Sequence, residues 1–439
     1  MSASHYTGVG RARWTRVGIP LLVIYLLAFL DRTNIGIAAP DMIERLELTG
    51  TATGVLLSAF FWGYVLTMIP GGALSGRTSA VRVIAWSIGI VGVTACLTGI
   101  VSDFSLLLVV RFLMGLAEGV LFPSFAVMFL RWFPNHERGR AVAATLFAVP
   151  VSAMIAAPLG GWLIATWNYE TMFIVQGIPA IVAGIVFARL ASDDPSSDTR
   201  ISPEERAYIL ASRDQETKKE GRFRDVLGSP LVWVLGLTYF LWVSGVYGFN
   251  LWLPSLLKSI SQSGVQAVGL LSAIPFILGA IGTFVNSWLS DRSRLARGWF
   301  IGIPIATAAI ALLLQHYLSL GLVGNMILLS IAGFGIYAGS GPWWTWMMSL
   351  FPKNQAGPTV GLINVFGNFG GIVAPPLLGI IGGAAGAGSA FYVLGYFGLA
   401  ATVLVAAVSI LEVRRRRAGE ALTGQSPDPA RALDGSKTK

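Results

Sequence analysis

The chain is poor in charge, in cysteine and in histidine. Asp, Glu, Lys and Arg make up only 12% of its 439 residues, about half the share found in soluble globular proteins. That composition excludes an ordinary water-soluble domain. A single cysteine, Cys96, leaves no disulfide framework. The three histidines, His5, His136 and His316, fall outside the apolar runs or at their ends. Their placement argues against paired haem ligation and against a histidine metal site in the membrane. Loops also lack the aspartate clusters that a membrane enzyme would need to hold a metal–phosphate. No catalytic residue, metal or cofactor is therefore expected.

What is present is apolar surface, at 54% of residues with a mean hydropathy of +0.68. It comes in blocks of roughly twenty residues between short polar connections, the pattern of membrane-spanning helices. Twelve spans are expected, at 17–40, 52–75, 83–102, 105–130, 140–166, 170–190, 231–257, 265–290, 299–316, 322–350, 357–384 and 388–412. The fold class is thus all-α and polytopic. The first run has a basic flank like a signal peptide, but it is too long for one and contains Asp31 and Arg32.

The net charge of +9 reflects orientation rather than affinity for nucleic acid. With twelve spans, all 31 basic residues except Arg32, Arg45, Arg111 and Lys258 fall on one side of the membrane. Such asymmetry places both termini and the long central connection in the cytoplasm of a cell whose inner membrane holds the chain. Four regions follow: a first six-helix bundle at 1–190, a cytoplasmic linker at 191–230, a second bundle at 231–413, and a basic, disordered tail at 414–439. Within the linker, 202-SPEE-205 reads as a capping box opening a short amphipathic surface helix. The tail has the composition of a disordered end.

The two halves repeat each other. The segment 74-LSGR-77 ends the second span and 289-LSDR-292 the eighth, an offset of 215; 133-FPNHERG-139 and 351-FPKNQAG-357 follow the fourth and tenth, an offset of 218. A six-plus-six repeat implies a binding cavity between the halves near mid-membrane, reached from alternate sides by rocking.

Charge inside the membrane costs about 2.5–3.5 kcal/mol per residue on insertion scales. Four such residues stand out: Asp31 and Arg32 in the first span, Arg111 and Glu118 in the fourth. Asp31 and Arg32 are adjacent and point about 100° apart, so they do not pair with each other. Arg111 and Glu118 share a helix face about 10 Å apart, so each needs a partner on another helix. A structural ion-pair network is one reading, although it gains little over good apolar packing. The functional reading gives Arg32 and Arg111 to a carboxylate substrate, whose oxygens fit the guanidinium fork. Asp31 and Glu118 then carry protons, because an anion competing for the arginines changes the carboxyls' proton affinity.

The chain resembles the major facilitator superfamily across all twelve spans. Its 72-GALSGRTSAVR-82 resembles that family's loop motif Gly-x-Leu-x-Asp-Arg-x-Gly, with Gly76 in place of the aspartate and Ser79 in place of the second glycine. The matching loop of the second half keeps Asp291 and Arg292. Together with Arg77 these are the expected gating residues, and the departure at Gly76 calls the latch of the first half into question. Within the superfamily the chain resembles the anion:cation symporter family of tartrate, phthalate and hexonate transporters. The matches are 31-DRTNIG-36, 111-RFLMGLAEG-119 with Pro123, 247-YGFNLWLP-254 and 360-VGLINVFGNFGG-371. The resemblance implies a substrate-binding arginine in the first span and a proton-linked acid in the fourth. It further implies substrate contacts from Tyr64 and Asn364.

Other residues carry open alternatives. Asn364 and Asn368 fit substrate binding or helix–helix hydrogen bonding; Tyr247 and Asn250 fit a gate or packing. Trp343 and Trp344 fit an interfacial belt or the pocket wall, with the pocket favoured by their mid-span position. The expected activity is import of an organic carboxylate (sugar acid, tartrate-like or aromatic acid) by proton symport, through a monomer whose partners are the anion, protons and the bilayer. The competing readings are a proton-coupled drug or metabolite exporter of the same fold, a polytopic membrane enzyme and a water-filled channel.

Overall fold

The computed structural model describes residues 11–211, 226–293, 295–318, 320–352, 355–382 and 390–423. Among them are twelve helical segments long and apolar enough to cross a membrane. In chain order, spans 1 to 6 are Trp14–Arg45, Gly50–Arg77, Ala80–Ile100, Phe104–Trp132, His136–Thr166 and Tyr169–Leu190. Spans 7 to 12 are Pro230–Ser261, Val265–Arg292, Trp299–Tyr317, Leu322–Ser349, Pro358–Gly382 and Phe391–Arg414. Span 1 runs five residues past its expected end at 40, where Asp41 and Glu44 meet Lys258 and Arg45 meets Glu170. The helix of span 12 continues to Thr423, so the tail expected to be disordered from 414 is helical that far. Residues 424–439, and 212–225 of the linker, lie outside the described residues.

Four spans of the first half start on a side-chain cap. Thr49, Ser79, Asp103 and Asn168 each accept a backbone N–H of the first turn, at 3.2, 3.1, 2.8 and 2.7 Å. Spans 7 to 10 start at Ser229, Gly264, Gly298 and Gly321 without one. Close helix crossings use glycine. On span 2 a Cβ at Gly63 would lie 2.1 Å from the Phe112 carbonyl oxygen; on span 4 one at Gly115 would lie 1.9 Å from that of Phe60. Only glycine lets these backbones meet.

The repeat reappears as backbone geometry. A left-handed residue follows span 1 at Glu47 and span 7 at Gln262, an offset of 215. The helix of span 4 breaks at Val120 and that of span 10 at Gly339, an offset of 219.

Spans 1 to 6 pack together, as do spans 7 to 12, and the two groups meet where spans 1, 2 and 5 face spans 7, 11 and 8. Their seam is backbone against backbone: Gly36 on Leu251, Gly54 on Pro375, Gly379 on Gly50 and Gly161 on Gly269. Lys258 ties span 7 to Glu44 and Asp41 of span 1 at 2.7 and 3.6 Å. Spans 2 and 11 run antiparallel in register through Gly54–Pro375, Phe61–Gly371 and Met68–Asn364. Beyond Met68 span 2 turns to its own half, where Ser75 hydrogen-bonds Ser124 at 2.6 Å. A Cβ at Gly76 or Gly361 meets open space. The halves are therefore closed at the Lys258 end and open at the end bearing Arg77, Arg131 and Arg292.

The start of the linker is not a free surface segment. Its helix, Pro203–Ala211, buries Glu205 and Ile209. Ser202 caps it at the Glu205 N–H (3.2 Å), but the Glu205 side chain does not complete the capping box. It accepts instead from the backbone N–H groups of Ala12 and Arg13 and from the Arg13 guanidinium. Arg13 also reaches Glu137 at 2.8 Å, and Tyr208 donates to Glu137 at 3.1 Å. Burial pushes the nearby Asp198 carboxyl up, but hydrogen bonds from Arg200 outweigh it and hold the carboxyl below its usual range.

Candidate functional site

Span 1 delivers Arg32 to the fully buried centre of the first half. Its Nε donates to Glu118 Oε1 of span 4 at 3.0 Å, and a second guanidinium N–H goes to the same oxygen. Aromatic rings complete the cage: the guanidinium carbon lies 4.3 Å from the Phe29 ring, 4.6 Å from Tyr64 and 5.0 Å from Phe60. Phe60 and Tyr64 are four residues apart on span 2, hence on one face. Such rings favour a desolvated cation. Glu118 Oε2, buried like the rest, has no protein partner.

Arg111 is as buried as Arg32 and far less satisfied. It donates to Met114 Sδ at 3.2 Å, a weak acceptor, while its Nε has no partner. It acts electrostatically on both Glu118 and Asp31 without an ion pair to either among the described residues. Among the described residues, Asp31 receives only a long hydrogen bond from Asn34 (3.5 Å), and its Oδ2 and the Asn34 Oδ1 are unpartnered. Glu118 is the second-last residue before the break at Val120. The seven-residue spacing from Arg111 thus holds helically, and the break begins just beyond it.

The second half closes on this group with amides and phenols. The Tyr247 hydroxyl lies beside Arg32 and donates to Asn368 Oδ1 at 3.1 Å, while its ring sits 4.3 Å from Phe61. Asn368 donates to the Asn364 carbonyl oxygen at 2.9 Å, and both amides face Met68 Sδ. Asp31, Arg32, Arg111, Glu118, Tyr64, Tyr247, Asn364 and Asn368 therefore gather where spans 1, 2, 4, 7 and 11 converge.

Other singled-out residues lie apart. Asn250 donates to the Tyr337 hydroxyl at 3.2 Å inside the second half. Trp343 is wholly buried there, stacked on Tyr239 at 5.2 Å and 9°, with Trp344 edge-on to the same ring at 5.3 Å. Arg77 and Asp291 are exposed at the open end, and Asp291 makes no ion pair among the described residues. Arg292 stacks over Trp288 at 4.1 Å. A groove of about 640 Å³ between spans 8 and 10 is lined by Ile274, Val323, Ile327 and Phe334; it faces outward and is remote from these charges. Sequence reasoning passed over Phe29, Phe60, Phe61 and Met68. The four-residue spacing of Phe60 and Tyr64 was the available signal for the cage.

The family model described as Major Facilitator Superfamily matches residues 21–375. A putative tartrate transporter of Agrobacterium vitis is 29% identical, over 92% of this chain and 95% of that protein. A probable galactarate/D-glucarate transporter of Escherichia coli K12 is 29% identical, over 85% and 89%. A quinolone resistance transporter of Acinetobacter baumannii is 27% identical, over 83% and 86%. Among solved structures, a bacterial homologue of the human lysosomal transporter Spinster, inward-facing and unoccupied, superposes with a TM-score of 0.73. It is 19% identical, over 92% of this chain and 96% of that one.

Proposed function

The chain belongs to the major facilitator superfamily, a multi-pass membrane transporter and not an enzyme, and from that premise we propose that it imports a small organic carboxylate by proton symport with alternating access. One observation carries the reading: two buried arginines and two buried carboxylates lie within the first half, Arg32 beside Tyr247 of the second, with hydrogen-bonding capacity left over. Fully ionised, Asp31, Arg32, Arg111 and Glu118 sum to zero charge. An entering anion upsets that balance in a poorly polarisable site, and a proton on Glu118 or Asp31 restores it. Binding of anion and proton is then mutually favourable by linkage. Arg111, whose guanidinium meets the Met114 thioether and lies 5.7 Å from the Phe60 ring, is the guanidinium most available to a carboxylate; Arg32 joins it when Glu118 is protonated. Tyr64, Tyr247 and Asn364 supply neutral hydrogen bonds around the anion. The tartrate and glucarate named for two relatives are carboxylates, the class of anion that a guanidinium fork suits. The inner membrane, cytoplasmic termini, monomeric state and a gate of Arg77, Asp291 and Arg292 belong to the same proposal.

The test is uptake into proteoliposomes of labelled L-tartrate and D-glucarate, with and without an inward proton gradient. Accumulation that follows the proton gradient, and is blocked by a protonophore, supports the reading. The quinolone-resistance relative favours a second reading, proton-driven export; quinolone efflux without carboxylate uptake would establish that one instead.

A further inference from the structure

Loop 2–3 carries Gly76 where loop 8–9 carries Asp291, yet a carboxylate stands beside it in space. Asp193 lies three residues past the end of span 6. Its Oδ1 accepts the Val81 backbone N–H at 3.0 Å and sits 3.5 Å from Nη1 of Arg131, at the end of span 4. Nη2 of the same guanidinium reaches the Gly76 carbonyl oxygen at 3.5 Å. The neighbouring backbone is anchored, since buried Trp132 donates from Nε1 to the Ser192 carbonyl oxygen at 2.9 Å. One carboxylate and one guanidinium thus join the end of span 2, the start of span 3, the end of span 4 and the exit of span 6.

The position suits the chemistry. Val81 is in the first turn of span 3, where backbone N–H groups lack helical partners and negative charge is favoured. Ser79 satisfies the N–H of Arg82 and leaves that of Val81 to Asp193. We infer that Asp193 is a positioning residue, supplying from the connector the carboxylate that loop 2–3 lacks at Gly76 and so fixing residues 76–81 against the end of span 4. Packing does not demand glycine there: a Cβ at Gly76 meets nothing within 4 Å. The loop is held by a carboxylate from elsewhere in the chain, so its own is dispensable. Arg131 and Asp193 are partly exposed, at 22% and 35%, so losing the pair changes global stability little and the variants remain folded.

Rescue separates this role from simple capping. Asp193→Ala, Gly76→Asp and the double variant are compared by hydrogen exchange of peptides covering 76–84 in nanodiscs, and by L-tartrate counterflow in proteoliposomes. Asp193→Ala is expected to speed exchange there about tenfold and to lower the maximal counterflow rate about fivefold at unchanged KM. Adding Gly76→Asp should return both to within about twofold of wild type, because the new carboxylate meets the same Arg131. Wild-type exchange in Asp193→Ala, or a double variant that exchanges as fast as the single one, overturns the inference. The counterflow arm rests on the transport reading above. A wild type that carries no tartrate counts against that substrate alone, and exchange then decides.

Discussion

Spans 1 to 6 place two acids and two arginines in the middle of the membrane, whereas at the same depth spans 7 to 12 face them with Tyr247, Asn364 and Asn368. Helix starts follow the same division: side-chain caps on spans 2, 3, 4 and 6, none on spans 7 to 10. One half of the repeated architecture holds the buried charges, and the other presents a phenol and amides to them. The lesson is that a shared backbone repeat does not imply shared chemistry. Charge compensation is a property of the first half; on the proposed symport, proton coupling would belong there too, with the second half shaping and orienting what binds.

Substitutions that break this division should have graded effects. Removing Arg32 is expected to be the most damaging, because Glu118 is left buried and unpaired at a cost of about 3–5 kcal/mol. Arg32→Ala should abolish uptake and lower thermal stability, and Arg32→Lys should recover stability better than transport. Next comes Glu118→Gln, which places a neutral amide where a protonated acid would be. Gradient-driven accumulation should collapse while counterflow persists in part; normal accumulation by well-folded protein transfers the coupling role to Asp31. In the second half, Tyr247→Phe or Asn364→Ala should raise KM about five- to tenfold, the loss of a net hydrogen bond worth about 1 kcal/mol, with proton coupling intact. A change in the proton:substrate ratio in either variant would erase the division of labour. At the loops, Asp291→Asn should reduce transport more than Gly76→Asn, since Gly76 contributes no carboxylate of its own. The smallest effect belongs to Lys258→Gln at the closed rim, where a partly exposed pair contributes under about 1 kcal/mol; its transport change should be less than about twofold and should vanish at high salt.

Much of this was legible in the sequence because membrane solvent imposes a coarse grammar. Apolar run lengths and polar punctuation identified twelve spans, and the sequence offsets of 215 and 218 have close counterparts in the left-handed residues paired 215 apart and the helix breaks paired 219 apart. The breaks at Val120 and Gly339 were not singled out, although Gly119 and Pro123 flank the first and 339-GSGP-342 opens the second. That Glu118 needs a partner on another helix followed from helix geometry and is met by Arg32, whereas the hydrogen bond of Arg111 stays on its own helix, at Met114. The identity of the Glu118 partner did not follow: Arg32 and Glu118 are 86 residues apart, and nothing local ties them. The linker was legible in part: the helix expected from 202-SPEE-205 is present at Pro203–Ala211, but nothing local shows that Glu205 and Asp198 hold Arg13 and Arg16 of the first bundle.

Both N–H groups that Arg32 offers Glu118 fall on a single oxygen. In the language of event order, this uncouples two steps that a bidentate pair would force into sequence. On the proposed symport, a proton would land on Oε2, unpartnered among the described residues, while Arg32 still holds Oε1, and the anion would arrive at Arg111 before Arg32 lets go. Neither cargo would then have to wait for the other. Initial-rate plots of uptake at several pH values should then show the crossing lines of random binding rather than the common intercept of an obligatory queue.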